Sequence, residues 1–240
     1  MSKKYKGKIC VYCATRESTC PDHIIAREFF LESQRTNLPK VPSCDECNNT
    51  KSTIEHYATT LFPFGSLHDS AKEMLKTVAP KRLDKNLKLK RDLKNKMGRI
   101  WLKSTSGLVL PTITLPIQGK KLVQLFSMIV RGLYWHNWKT ILPRDYFVEI
   151  YTFNLRGLIY FQDNLLFKAP HNFIKKDLGG GVFNYSCTRG DEDMGISAWE
   201  MSFYKGIMIA GNSNWKIYFC GLTGPEEIRN SIGLHGEDKT

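Results

Sequence analysis

Four of the seven cysteines stand in two short pairs near the amino terminus, Cys10-Val-Tyr-Cys13 and Cys44-Asp-Glu-Cys47. A C-x2-C turn puts two sulfurs on one side of a tight knuckle, and two such knuckles can close a tetrahedron around Zn²⁺ with Zn–S bonds of about 2.3 Å. A redox role would need the strand-to-helix setting of a thioredoxin-like unit, which neither pair has. An odd cysteine count without an export signal also argues against a disulfide framework. Cys20, Cys187 and Cys220 have no partner spacing and read as small buried hydrophobes. The thirty residues between the pairs carry Asp22 and His23, in the run CPDHII. Asp-His neighbours are common by chance, so what flanks them decides whether they do chemistry.

The order Cys10-x-x-Cys13, Asp22-His23-Ile24-Ile25, Cys44-x-x-Cys47-Asn48-Asn49-Thr50-Lys51 resembles the HNH endonucleases, the zinc-stapled branch of the ββα-metal nucleases. The resemblance covers roughly the first sixty residues. It implies a structural zinc on the four cysteines, a catalytic Mg²⁺ or Mn²⁺ on Asp22 and Asn48, and His23 as general base. Phosphodiester hydrolysis needs a water made nucleophilic and a cation to neutralise charge on the phosphate, so these residue types suit the task. A His near its ordinary pKa of about 6.5 can take the water proton at neutral pH, and a carboxamide oxygen is a hard ligand. The sequence departs from the family pattern at Pro39, where an Asn usually stands, and at Ala26, where a Pro is common. Asn37 is two residues early and is the candidate to hold the imidazole's tautomer. Lys51 could touch a phosphate and Ser52 or Glu55 could orient a metal-bound water; for each, an ordinary exposed helix face is the bland alternative. His56 lies about 12 Å along the helix from Asn48, too far to share its metal. His68, His136, His171 and His235 have no ligand-like spacing.

These residues need particular elements to carry them. Asp22 and His23 would point to opposite faces of a regular strand, so the pair belongs at a strand end or in a distorted hairpin. NNTKSTIEHYATTL reads as a helix that begins at Asn48. LHDSAKEMLKTV reads as a second, ended by Pro80, and KRLDKNLKLKRDLKNKMG as one basic amphipathic helix stopped by Gly98. Beyond Thr105 come an extended segment with prolines, GLVLPTITLPI, and a buried helix ending near Trp138. The strand-like runs DYFVEIYTFN, GVFNYSC, WEMSFYKG and IMIAG follow, with turns at Gly157, Gly179 to Gly181 and Lys205-Gly206. Trp135, Trp138, Trp199, Phe203 and Tyr204 have the periodicity of core residues, although aromatics can also stack on bases.

With 35 Lys and Arg against 23 Asp and Glu, the chain carries +12, and the excess is concentrated. Between Lys72 and Lys103 stand twelve basic residues and three acidic ones. Such a stripe attracts a polyanion, and Lys81, Arg82, Lys85, Lys88, Arg91 and Lys94 are the candidate nucleic-acid contacts, DNA being favoured over RNA. No apolar run is long enough for a membrane helix, because VQLFSMIVRGLYW is broken by Arg131, and no secretory h-region is present. A cytoplasmic location follows as the default.

The expected class is α+β. An N-terminal ββα-metal module with a four-cysteine zinc site occupies 1–66 and a basic helical connector 67–103. A C-terminal α+β domain with an antiparallel sheet, for recognition or assembly, takes 104–240. The expected activity is metal-dependent cleavage of nucleic acid, with a homodimer or partner protein compatible with it. The rivals are a zinc-ribbon binding protein without catalysis and an effector silent until a partner releases it.

Overall fold

The computed structural model describes residues 5–103, 109–115, 117–208 and 216–232, and among them the class is α+β. The chain opens on a knuckle at Cys10 to Ala14, where the Ala14 N–H closes on the Cys10 carbonyl at 2.9 Å. It continues as β1 (Cys20–His23) and, after short 3₁₀ turns, as β2 (Lys40–Ser43). The two strands pair antiparallel, Asp22 opposite Val41 and His23 opposite Lys40. Helix α1 (Asp45–Leu61) follows directly, starting three residues before Asn48 because Cys44 is its N-cap and Asp45 and Glu46 occupy the favourable first turn.

Helix α2 (Asp69–Thr77) precedes a basic segment that is two helices, not one: α3 (Ala79–Lys85) and α4 (Leu87–Lys96). Pro80 does not end α2. It sits in the first turn of α3, where its missing N–H costs nothing. Asn86 makes the break, leaving helical geometry and accepting the Leu89 N–H at 3.0 Å as the cap of α4. A two-stranded ribbon then forms from β3 (Gly98–Lys103) and β4 (Val109–Thr114).

Helix α5 (Gly119–Trp138) ends where the sequence says it should, with Lys139 in the left-handed conformation. It packs on a five-stranded antiparallel sheet built from β5 (Tyr146–Phe153), β6 (Ile174–Leu178), β7 (Phe183–Arg189), β8 (Ser197–Phe203) and β10 (Lys216–Pro225). The strand order is β5-β10-β8-β7-β6, with the short β9 (Ile207–Met208) on one end of β10. The helix α6 (Leu155–Phe161) lies between β5 and β6, so Gly157 is inside a helix where a turn was expected. His235 and the end of the IMIAG run lie outside the described residues.

One hydrophobic core runs from Cys10 to Phe219, crossing the boundaries expected at 66 and 104. Phe29 and Phe62 from the N-terminal part meet Phe203 of β8 at 4.4 and 5.1 Å between ring centroids. Two close approaches show how tightly the halves fit. A Cβ on Gly132 of α5 would stand 3.0 Å from Ile24, and one on Gly179, whose φ is +69°, would stand 2.5 Å from Phe30. Helix α5 therefore backs the CPDHII segment at Ile24, and the β6–β7 turn backs the chain beyond it at Phe30. Trp199, Phe203 and Tyr204 are buried in this core, Trp138 stacks edge-on against Trp199 at 5.3 Å, and Trp135 packs beside it half-buried. Cys187 and Cys220 are buried too.

Candidate active site

The four sulfurs of Cys10, Cys13, Cys44 and Cys47 lie within 4.8 Å of one another. Tetrahedral zinc needs thiolates about 3.8 Å apart, so the cluster fits a metal such as zinc with little closure. Backbone pairing holds the knuckles together: the Cys10 N–H donates to the Arg16 carbonyl at 2.8 Å and the Val11 N–H to that of Pro42 at 3.2 Å. Burial pushes the Cys13 thiol up, but hydrogen bonds from Thr15 and Arg16 outweigh it and bring the group down to about 5. Arg16 also donates to the Cys47 sulfur at 3.7 Å. The donors on Cys13 favour its thiolate, the form in which cysteine binds metal, while burial raises the Cys10 and Cys47 thiols.

Beside this cluster α1 packs on the face of β1 that carries Cys20 and Asp22. Lys51 is completely buried, and its ammonium donates to Glu55 Oε1 at 2.5 Å, to the His23 carbonyl at 2.7 Å and lies 3.0 Å from Asp22 Oδ2. An ammonium has three donors, and all three are used. Lys51 is therefore neither an exposed helix residue nor free to touch a phosphate. Glu55 is buried as well, driven up to about 7 by burial against the pull of Lys51. Ser52 is exposed and lines, with Glu28, Glu55, His56 and Thr59, a small cavity of about 80 Å³. One contributor was invisible in the sequence: the Tyr12 hydroxyl donates to Asp22 Oδ2 at 2.6 Å. Tyr12 is carried there by the first knuckle, and no local pattern links it to a carboxylate ten residues on.

The consequence is an Asp22 held in one orientation. Both Tyr12 and Lys51 engage Oδ2, and among the described residues no hydrogen bond falls on Oδ1. Asn48, one turn before Lys51, gives its Nδ2 to the Cys20 sulfur at 3.5 Å. Its amide oxygen likewise accepts no hydrogen bond from the described residues. Cys20 and Asp22 share a strand face, so Asn48 and Asp22 sit along one helix–strand seam. Cys20 is half-buried and gives Asn48 its contact instead of filling the core.

His23 is the last residue of β1, the strand end that its opposition to Asp22 requires. The chain then enters a 3₁₀ turn at Arg27–Phe29. Burial lowers the imidazole to about 4, helped by the charges of Lys40 and Arg27, so it is neutral at pH 7 but a weaker base than the ordinary histidine the sequence suggested. Lys40 and Arg27 are both exposed and were not foreseen as site residues. Lys40 reaches His23 only through strand pairing, which no spacing in the sequence reveals. Asn37 is exposed in the left-handed conformation at φ 59°, and among the described residues it makes no hydrogen bond to His23.

Of the basic candidates, Lys81, Lys85, Lys88, Arg91 and Lys94 are exposed and form no ion pair among the described residues. Arg82 differs. It is half-buried and donates to the carbonyls of Thr59 at 3.2 Å and Glu28 at 3.2 Å, clamping α3 to α1 and to the turn after His23. No described helix is long and apolar enough to cross a membrane. Comparisons with family models, curated proteins and solved structures give no match to this chain.

Removing the Lys51 charge should be costly. Lys51→Met leaves the Asp22 and Glu55 carboxylates buried without their shared cation, and we expect a loss of about 3–5 kcal/mol. Urea denaturation of the two proteins measures it; a loss below about 1 kcal/mol would show that the network does not hold the fold.

Proposed function

We propose that the chain is a metal-dependent HNH-type endonuclease acting on nucleic acid, with DNA favoured. The observation that carries this reading is the seam of Asp22 and Asn48, two hard oxygen donors with no protein partner among the described residues, with His23, whose ring feels the Asp22 charge, as the next residue at the end of β1. In this reading Cys10, Cys13, Cys44 and Cys47 hold a structural zinc that fixes the start of α1 against β1. Asp22 and Asn48 would hold Mg²⁺ or Mn²⁺, which when bound supplies charge neutralisation at the scissile phosphate. His23 takes the proton of the attacking water through its imidazole. Lys51 and Tyr12 orient the Asp22 carboxylate, and Lys40 and Arg27 supply the positive charge near the phosphate that Lys51 is too enclosed to give.

The binding-only alternative draws on Lys51, which already neutralises Asp22 at 3.0 Å. Plasmid DNA separates the two. The zinc-loaded protein is expected to nick or cut it with Mg²⁺ or Mn²⁺ and not with EDTA, and Asp22→Asn to stay inactive at any concentration of either ion. Binding without cutting at any divalent concentration favours the alternative; cutting that appears only on adding cell extract favours an effector released by a partner.

A further inference from the structure

The ribbon β3–β4 is attached to the body at its base and uncovered beyond it. Met97 and Leu115, just outside the two strands, pack against the main core, and the Gly98 N–H bonds Thr114 Oγ1 at 2.9 Å. Beyond that point the strands pack chiefly on each other. Trp101, three residues beyond Gly98 and so about 10 Å along the strand, is 70% exposed. Arg99, two residues away on the same strand face, is exposed, and so is Val109 on the partner strand. Trp101 and Val109 leave an apolar patch exposed near Arg99, and the indole face is free to stack on a planar partner.

What docks is indicated by charge. The ribbon follows α4 directly, and Lys88, Arg91, Lys94, Lys96 and Arg99 are exposed with no ion pair among the described residues. An aromatic face set beside a run of uncompensated cations matches a strand of nucleic acid, whose bases offer π faces and whose backbone offers phosphates. Inside a duplex those faces are occupied by neighbouring base pairs. We propose that the β3–β4 ribbon is an arm that grips an unpaired stretch of the nucleic-acid substrate, Trp101 stacking on a base while Arg99 and the α4 cations hold the flanking phosphates. This rests on the reading of the basic segment as a nucleic-acid contact and adds the strandedness of what it contacts.

Fluorescence anisotropy with the full-length zinc-loaded protein in EDTA, using labelled dT20 and a blunt 20-base-pair duplex, tests it. Wild type should bind dT20 more tightly than the duplex. Trp101→Ala should weaken dT20 binding by about 5- to 150-fold, the worth of one stacked base, with Trp101→Phe retaining most of the affinity. Trp101 is exposed, so the variants should keep the wild-type circular dichroism spectrum. Equal loss on both probes would place the ribbon in a duplex groove and overturn the proposal. Unchanged dT20 binding would overturn it too, whether the variant instead loses binding to phosphatidylserine vesicles or loses a dimer in sedimentation. Lys88→Ala with Arg91→Ala should weaken both probes; wild type that binds neither probe would remove the nucleic-acid reading along with the arm.

Discussion

Replacing His23 with alanine should abolish cleavage while leaving affinity for nucleic acid within about twofold. A positioned general base contributes about 10²- to 10⁴-fold, and the described residues offer no neighbouring group to replace it: Lys51 is enclosed, and Glu55 faces Lys51. The substitution removes a half-buried ring from a strand end whose supports are elsewhere, in Ile24 and Ile25, both fully buried against the core. The fold should therefore survive. Rates measured on plasmid DNA at saturating Mn²⁺, with circular dichroism as a check on folding, read the effect. Retention of more than a tenth of the wild-type rate, with contaminating nuclease excluded, removes His23 from the role of base.

The second large effect is expected from the metal on the four cysteines. β1 and β2 are four residues each and pair only with one another, which is too little sheet to be stable alone. A structural zinc contributes about 10–16 kcal/mol in small peptide domains, and one held by these four cysteines would join the knuckle to the start of α1. Elemental analysis should find one zinc per chain. Cys44→Ser with Cys47→Ser should lower the melting temperature by more than about 10 °C, since each kcal/mol is worth about 2–4 °C in a chain of this size. The loss should not be confined to the N-terminal residues. Because one core joins Cys10 to Phe219, the sheet should melt in the same transition. A variant that melts like wild type would mean that the cysteines hold nothing essential.

The sequence made some parts of this architecture legible and hid others for identifiable reasons. The C-x2-C pairs were readable because metal chemistry constrains residue type and spacing together, and the sulfurs do converge. The helix ending at Trp138 was readable from its apolar periodicity, and the antiparallel sheet beside it from its strand-like runs. β6 was missed because IKKDL is a polar edge strand with little to bury. β10 was missed because its glycines look like breaks; Gly221 is there because a Cβ would stand 3.0 Å from Val130. The break at Asn86 was missed because Leu83, Leu87 and Leu89 continue the helical stripe across it, while a single side-chain cap decides otherwise.

The site shows the same division. The motif picked out residues that the fold brings together, Asp22, His23, Lys51 and Glu55; it did not show how their charges are shared. Lys51 sits in the sequence among polar helix residues, and only tertiary packing reveals that its partners stand four residues ahead and nearly thirty behind. The identity of the cations near His23 was hidden for a related reason, because Lys40 arrives by register and Arg27 by a turn.

If the chain is a nuclease of this type, Asp22 and Asn48 share one divalent ion within reach of His23. Anomalous scattering from crystals of the zinc-loaded protein soaked in Mn²⁺ tests this most directly. A manganese peak at oxygen-ligand distance from both Asp22 Oδ1 and the Asn48 amide oxygen is the expected result, vanishing in Asp22→Ala. Manganese elsewhere, or Lys51 still closed on an Asp22 that binds nothing at saturating Mn²⁺, would contradict it.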